Sequence, residues 1–282
     1  MKMNEAEIKA ARILIDLALA EDVAGGDITT DNLIPASSRR KAKMVAKADG
    51  VVAGLEIAEM VFRNFDPNLF WNVKVTDGDT VKKGDVIVEF EATYRALLTG
   101  ERTALNFLQR LSGIATMSHR YAEAVKDFKT EILDTRKTLP GFRLLDKYAV
   151  KTGGSSNHRI GLYDMVMIKD NHIEVAGGIT QAVTEIRKRI APGIKIEVET
   201  TTLEQVQEAI ETGVDMIMLD NMDNTTMKKA VEMIAGRAKV EASGNMTLER
   251  LREVAATGVD YISIGALTHS VQALDISQRL ED

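Results

Sequence analysis

The sequence predicts an α/β protein whose larger part is a parallel sheet closing into an incomplete α/β barrel. From about residue 130 onward, apolar runs of strand length alternate with runs of helix length. Almost every strand-like run is followed by charged or small polar residues. An open sheet gathers function at one crevice, whereas all strands of a barrel end at one mouth, so these decorated ends favour a barrel. Six predicted strands fall short of the eight that close such a barrel, so we expect it to be incomplete.

The first element is predicted to be a helix, because Ile8, Ala11 and Ile15 recur with helical spacing. Gly25 and Gly26 should end this helix, and Asp27 is a candidate cap or turn residue.

A β-rich segment follows, with strand-like runs over 43–52 and 73–91. Tight turns are predicted at 77–79 and 83–85, where the sequence is Asp-Gly-Asp and Lys-Gly-Asp. This hairpin pattern resembles the small β-sandwich of biotinyl and lipoyl carrier domains. No lysine stands at a hairpin tip beside a recognition turn, so a structural β-module is favoured and a carrier is kept as an alternative.

Residues 101–127 are predicted to form one long helix, with Gly113 as a candidate break. Its core-facing stripe consists of Leu105, Leu108, Ser112 and Ala115. The repeated units then begin. Their predicted strands are 131–134, 165–168, 195–198, 216–219, 238–242 and 261–264. Their predicted helices are 142–151, 180–190, 203–211, 225–235 and 248–256. No Gly-x-Gly-x-x-Gly follows a strand, which argues against a dinucleotide-binding fold.

The composition excludes several classes of protein. The 282 residues include no Cys, so there is no disulfide frame, no thiolate zinc site and no cysteine nucleophile. A net charge of -6 argues against a general nucleic-acid binder. No apolar run reaches the roughly 18 residues of a membrane span, and acidic residues interrupt the N-terminal segment. We therefore expect a cytoplasmic protein with neither nucleic-acid nor membrane partners.

Five cationic side chains follow the predicted strands and should converge near the mouth: Arg136, Lys137, His158, Arg159 and Lys169. Crowded like charges in a partly dry site are unfavourable unless a ligand compensates them, so the cluster predicts a highly anionic ligand. Arginine suits carboxylates and phosphates, because its planar fork donates two parallel hydrogen bonds. The alternative is internal pairing of these cations with Asp134, Asp146 or Asp170.

Two acids, Glu199 and Asp220, end successive predicted strands and should be neighbours in the mouth. Facing a cationic cluster, they suggest a Mg²⁺ site shared with substrate phosphates, or groups that stabilise a developing cation. Charge balance against Lys169 and Arg136 is the alternative.

The last two strand ends, Ser243-Gly244-Asn245 and Gly265-Ala266, are small and flexible. Backbone N–H groups there could cradle a phosphate, and barrels often place a phosphate site after their last strands. Ordinary turns capped by Thr247 and Thr268 are the alternative.

Other chemistries are weakly supported. The four histidines show no zinc-ligand spacing, and no Gly-x-Ser-x-Gly elbow is present. A class I aldolase that uses Lys169 as a Schiff-base nucleophile is kept as an alternative.

Five ordered motifs together resemble the quinolinate phosphoribosyltransferase family. They are Gly100-Glu101-Arg102-Thr103-Ala104-Leu105-Asn106, Asp134-Thr135-Arg136-Lys137-Thr138, Asn157-His158-Arg159, Ile168-Lys169-Asp170-Asn171-His172 and Ser263-Ile264-Gly265-Ala266-Leu267-Thr268-His269-Ser270. The likeness covers nearly the whole chain. It implies transfer of a phosphoribosyl group from phosphoribosyl pyrophosphate to quinolinate with decarboxylation. The products are nicotinate mononucleotide, CO₂ and pyrophosphate, and Mg²⁺ is the cofactor.

The resemblance implies an architecture as well. An N-terminal α/β sandwich would span 1–104, a seven-stranded incomplete barrel 105–270, and a tail packing back on the first domain 271–282. It also implies a homodimer in which Arg102 reaches across the interface to the quinolinate carboxylates. The residues alone would place Arg102 on a helix as a surface charge.

The resemblance implies residue roles. Quinolinate would be held by Arg102, Thr135, Arg136, His158, Arg159 and Lys169. The phosphoribosyl ligand would meet Lys137, Lys169, Glu199, Asp220, Ser243, Gly244 and Gly265. Catalysis would fall to Lys137, Glu199 and Asp220, and the same two acids would bind Mg²⁺, directly or indirectly.

One departure from the family pattern is Gly153-Gly154-Ser155, where many members have three glycines. Serine adopts a positive φ less readily than glycine, so the local shape of this loop is expected to differ. A sister group associated with molybdenum uptake shares the fold and some of the motifs, and it is kept as an alternative function.

Overall fold

The computed structural model describes residues Met1–Glu281. Its helices are α1 (Glu5–Asp22), α2 (Ile28–Leu33), α3 (Leu55–Phe65), α4 (Tyr94–Val125), α5 (Arg143–Thr152), α6 (Asp170–Ala176), α7 (Ile179–Arg187), α8 (Leu203–Thr212), α9 (Asn224–Ile234), α10 (Leu251–Ala255) and α11 (Ala266–His269). Its strands are β1 (Arg39–Ala46), β2 (Gly50–Val51), β3 (Phe70–Val73), β4 (Thr80–Val81), β5 (Val86–Thr93), β6 (Glu131–Leu133), β7 (Val166–Ile168), β8 (Ile196–Thr200), β9 (Met216–Asp220), β10 (Lys239–Ser243), β11 (Tyr261–Ser263) and β12 (Ile276–Glu281).

The chain divides into two compact units. One comprises 1–119, 138–154 and 266–282, and the other comprises 120–137 and 155–265. The predicted domain boundaries at 104/105 and 270/271 stay a prediction. In the part of the chain that the structure describes, no helix is both long and apolar enough to cross a bilayer.

The first unit is built on an antiparallel sheet in the order β12-β1-β5-β3. Strand β12 pairs with β1 from Lys41 opposite Glu281 to Ala46 opposite Ile276. The core beneath the sheet contains the rings of Phe62 on α3 and Phe90 on β5, whose centroids lie 5.0 Å apart. The predicted turns are confirmed, since Gly78 and Gly84 have φ of 105° and 103°.

Two helix predictions in this unit have different outcomes. Helix α1 ends at Asp22, before the glycines, and Asp27 caps α2 by accepting from the N–H groups of Thr29 and Thr30. The predicted break near Gly113 is wrong, because α4 is continuous. A Cβ at Gly113 would lie 2.1 Å from the carbonyl oxygen of Gln272, so this glycine permits close packing of a neighbouring segment.

The second unit contains the parallel sheet, in the order β6-β11-β10-β9-β8-β7. Strands β6 and β11, the first and last of these six in chain order, pair with Ile132 opposite Ile262, so the sheet curls toward a barrel. Among the described residues no ladder joins β6 to β7, so the barrel is incomplete as predicted. The described sheet has six strands, one fewer than expected, and a single parallel bridge between Leu133 and Ser156 stands in the seventh position.

Candidate active site

A cavity of about 380 Å³ lies within the second unit, at the carboxyl ends of the parallel strands. Its lining residues are Asp134, Thr135, Arg136, Lys137, His158, Arg159, Met167, Lys169, Glu199, Met218, Asp220, Glu241, Ser243 and Ser263. The structure thus brings together all five cationic side chains and both strand-end acids that the sequence had placed at one mouth.

The pleat of the strands explains how these side chains converge. Successive residues of a strand point to opposite faces, so every second residue faces the same side. Met218 and Asp220 alternate in this way on β9, and Glu241 and Ser243 do so on β10. The parallel register places Asp220 beside Ser243.

Two guanidinium groups share one side of the cavity. Arg136 follows β6, while Arg159 donates to the carbonyl oxygen of Met165 at 3.0 Å and contacts the Met167 sulfur at 3.5 Å. Burial lowers the pKa of Arg159, and the positive charge of Arg136 lowers it further. The two arginines therefore lie close enough to repel, as expected of a site for an anion.

An ion pair bridges two strand ends. Lys169 Nζ, after β7, lies 2.8 Å from Glu199 Oε2 on β8. The lysine side chain is 46% exposed, so the pair is open to solvent and its net stabilisation is small. The predicted charge balance between Lys169 and Glu199 is therefore present, but in a form that a ligand can rearrange at little cost.

A buried triad lies at the base of the cavity. His158 Nε2 hydrogen-bonds with Glu197 Oε2 at 3.0 Å and lies 3.1 Å from Glu241 Oε2. Because one N–H cannot point at both oxygens, the second contact is an electrostatic one. Both glutamate side chains are fully buried and that of His158 is 7% exposed.

The triad perturbs the protonation of its members. Burial opposes the charged imidazolium, but the hydrogen bond and the charges of the two carboxylates outweigh it and raise the pKa of His158 to about 10. Burial, aided by the charge of Glu241, raises the pKa of Glu197 to about 7. His158 is therefore a fixed cation at neutral pH.

Neighbouring groups orient the site residues. The fully buried Asp134 carboxylate accepts the backbone N–H of His158 at 2.8 Å. Asn221 Nδ2 donates to Asp220 Oδ2 at 2.8 Å. Asp146, an alternative partner for the cations, instead pairs with Arg110 at 2.9 Å in the first unit.

Three predicted residues are not among those that line the cavity. Arg102 lies on α4 in the first unit and is exposed. Gly244 and Gly265 belong to the second unit and follow the lining residues Ser243 and Ser263 closely. Neither alternative cap is an N-cap, because Arg250 holds that position before α10 and Thr268 lies inside α11.

The departure at Ser155 has a simple outcome. Ser155 is not among the residues with positive φ, whereas Gly154 has φ of 95°. The left-handed position of this loop therefore falls on a glycine.

The acids fit a hard cation. Glu199 and Asp220 offer carboxylate oxygens, the ligand type that Mg²⁺ prefers, and Lys169 and Asn221 donate to Oε2 of the first and Oδ2 of the second. The buried cluster of His158, Glu197 and Glu241 has three possible ligand atoms within 4.8 Å. Its imidazole already faces both carboxylates, so it is better explained as an ion-paired triad.

Glu197 and Glu241 were missed from the sequence. Each stands between two apolar residues of a parallel strand, in Ile-Glu-Val and Val-Glu-Ala. A charged residue in a buried parallel strand is rare without a partner, and this is the signal that could have identified them.

The comparisons with known proteins agree with one another. Residues 27–112 match the N-terminal domain of the family described as quinolinate phosphoribosyl transferase, and residues 114–279 match its C-terminal domain. A protein of Oryza sativa named nicotinate-nucleotide pyrophosphorylase [carboxylating], chloroplastic, is 46% identical, covering 96% of this chain and 77% of the relative.

Two further similarities extend this result. A probable nicotinate-nucleotide pyrophosphorylase [carboxylating] of Synechocystis is 47% identical, covering 93% of this chain and 90% of that protein. The crystal structure of NadC from Streptococcus pyogenes has a TM-score of 0.95 and 39% identity, covering 100% of this chain and 99% of that one. The chain therefore belongs to the quinolinate phosphoribosyltransferase family.

Proposed function

We propose that this chain joins quinolinate to phosphoribosyl pyrophosphate and removes a carboxyl group, giving nicotinate mononucleotide, CO₂ and pyrophosphate. This is a step of de novo NAD synthesis. The observation that carries the proposal is the cavity in which five cationic side chains meet two strand-end acids, in a chain of this family. Two strongly anionic substrates need such a site, because each would otherwise keep the other away.

The quinolinate subsite is proposed on the side of the two arginines. Arg136 and Arg159 each present a planar fork that matches a carboxylate, and His158 adds a fixed positive charge. Thr135 and Lys169 complete this side, and Lys137 lies between the two ligands. The repulsion between Arg136 and Arg159 would be relieved when a dicarboxylate binds.

The phosphoribosyl subsite is proposed at the ends of β8 to β11. Glu199 and Asp220 would bind the ribose and oppose positive charge on it, while Ser243, Gly244 and Gly265 would hold the 5′-phosphate. Lys137 and Lys169 would stabilise the departing pyrophosphate.

The proposed chemistry is a displacement at the anomeric carbon. The bond from this carbon to the pyrophosphate oxygen breaks, and the pyridine nitrogen of quinolinate donates its electron pair to form the new C–N bond. The electron pair of the breaking C–CO₂ bond stays on the ring carbon, where the positive charge of the adjacent quaternised nitrogen stabilises it. CO₂ leaves and the ring carbon takes up a proton. Much of the task is positioning, and well-oriented reactants can gain roughly 7–11 kcal/mol.

Mg²⁺ is proposed as the cofactor, with Glu199 and Asp220 as the residues that would hold it. When bound, it would neutralise charge on the pyrophosphate. Independently of the metal, the two acids bind the sugar and the lysines orient the leaving group.

A homodimer is proposed in which Arg102 serves the partner's cavity, since it is an exposed cation of the family motif on α4. Separately inactive Arg102→Ala and Arg136→Ala proteins, mixed after unfolding and refolding together, should recover up to about a quarter of wild-type activity, because half of the dimers carry one intact site. No recovery from folded mixed dimers would refute the shared site.

The alternatives fare less well. A Schiff-base lysine is normally desolvated, whereas Lys169 is nearly half exposed and paired with Glu199. A molybdenum-associated ligand preference and a carrier role have no specific observation in their favour. A cytoplasmic location stays a prediction, because named relatives include chloroplastic and mitochondrial proteins.

The test is a direct assay. Purified protein is mixed with quinolinate, phosphoribosyl pyrophosphate and MgCl₂, and nicotinate mononucleotide is followed by chromatography. Product should require both substrates. Its absence from folded protein would refute the proposed function, and borohydride trapping of a carbonyl substrate at Lys169 would support the aldolase instead.

A further inference from the structure

We propose that Asn221 is a positioning residue that fixes the Asp220 carboxylate and the loop at Gly244 in one arrangement for phosphoribosyl pyrophosphate. The inference rests on the proposed function and adds to it a residue outside the cavity lining. Asn221 directly follows β9, and its exposed side chain lies between two strand ends of the site.

The side-chain amide of Asn221 links these strand ends. Its Nδ2 donates to Asp220 Oδ2 at 2.8 Å, and its Oδ1 accepts from Asn245 Nδ2 at 3.3 Å. An ionised carboxylate only accepts hydrogen bonds, so the nitrogen must be the atom that faces Asp220. The amide thus orients an acid of the sugar subsite and, at the same time, the residue after Gly244.

The backbone of Asn221 is unusual as well. Its φ is 55°, in the left-handed region that few residues other than glycine adopt, and its N–H donates to the carbonyl oxygen of Ser243 at 3.0 Å. Asparagine is among the residues that tolerate this conformation best. This conformation turns the chain away at the end of β9, and the hydrogen bond from Asn221 to Ser243 extends the pairing with β10 by one residue.

Gly244 is fitted to this side chain. A Cβ at position 244 would lie 2.2 Å from Asn221 Oδ1 and 3.0 Å from the Asn221 backbone nitrogen, and φ at Gly244 is 95°. The glycine is therefore required where Asn221 packs against it, and the two residues set the shape of the proposed phosphate loop together. Neither Asn221 nor Gly244 is buried in the core. If Asn221 only supported the local fold, its replacement would therefore leave the binding of phosphoribosyl pyrophosphate unchanged.

The test uses Asn221→Gly, which keeps the left-handed backbone and removes the amide. The matched control is Ala235→Gly, another residue with positive φ (49°), at the end of α9. The affinity for phosphoribosyl pyrophosphate with MgCl₂ is measured by calorimetry, and KM values for both substrates are measured by product formation.

Asn221→Gly should weaken phosphoribosyl pyrophosphate binding and raise its KM by about tenfold, the loss expected when a hydrogen bond to a charged group is removed. The KM for quinolinate should stay within about twofold, and Ala235→Gly should match the wild type. Asn221→Asp, which places a second carboxylate against Asp220, should be worse than Asn221→Gly.

Unchanged binding in Asn221→Gly, or an equal rise of both KM values, would overturn the inference. These outcomes differ from failure of the proposed function, in which the wild-type protein itself would neither bind phosphoribosyl pyrophosphate nor form product.

Discussion

At the scale of single residues, the site combines several cationic side chains with buried and half-buried acids. Lys169 is balanced by Glu199 and His158 by Glu197 and Glu241, whereas Arg136 and Arg159 repel each other. Two guanidinium groups so close together should attract an added anion strongly.

Arg136→Ala should raise the KM for quinolinate by about 100-fold or more, because two charge-assisted hydrogen bonds to a carboxylate are lost. Arg136→Lys keeps the charge but not the fork and should recover part of the loss. Steady-state kinetics and a melting curve provide the measurement. Normal turnover of the alanine variant at low quinolinate would contradict the role of the arginine.

The triad makes a second prediction at this scale. Glu241→Gln removes one of the two carboxylates that hold the imidazolium, so the pKa of His158 should fall from about 10 toward its ordinary value of 6.5. Proton NMR of the four histidines can follow the titration, with His158→Gln providing the assignment. An unchanged titration would show that Glu241 does not stabilise the charge. Glu174→Gln, at an exposed position on α6, is the control.

At the scale of elements, the parallel strands were predicted better than the short helices that lie outside the repeated units. The repeated units appear in the structure within a few residues of their predicted positions, because buried parallel strands form continuous apolar runs. Helices α2, α3, α6 and α11 were not predicted. Three of them, α2, α6 and α11, are short, and the exposed residues of α6 give no clear apolar stripe.

The wrong prediction of a break in α4 has a tertiary cause. Local propensity disfavours glycine inside a helix, but at Gly113 close packing of the segment at Gln272 decides the outcome. Such a contact, between residues far apart in sequence, cannot be inferred from periodicity. The same limit concealed the triad, whose members come from a loop and two strands that are not adjacent.

Gly113→Ala tests this explanation. Alanine favours helix by about 1 kcal/mol, but its Cβ would overlap the Gln272 carbonyl, so we expect net destabilisation of about 1–3 kcal/mol. Denaturant unfolding gives the value. Gly25→Ala, where nothing lies within 4 Å, is the matched control and should change stability little. A Gly113→Ala protein as stable as wild type would refute the packing argument.

At the scale of the whole molecule, the buried triad links stability to pH. His158 has a folded pKa of about 10 against an ordinary value of 6.5, so the folded state holds a proton that the unfolded chain releases first. The contribution of His158 is complete below about pH 6.5 and is lost as the pH rises through about 10.

The free energy of unfolding should therefore fall more steeply between about pH 6.5 and 10 in the wild type than in His158→Gln. Urea titrations at several pH values give both curves. Parallel curves would show that the imidazolium is not stabilised in the folded protein.

The central claim is that the cationic cavity performs decarboxylating phosphoribosyl transfer. Its most direct test is CO₂ release from quinolinate labelled in the 2-carboxyl group. Labelled CO₂ should form in equal amount with nicotinate mononucleotide, only when phosphoribosyl pyrophosphate is present, and at low quinolinate it should be lost in folded Arg136→Ala. CO₂ release without phosphoribosyl pyrophosphate, or full release by Arg136→Ala, would contradict it.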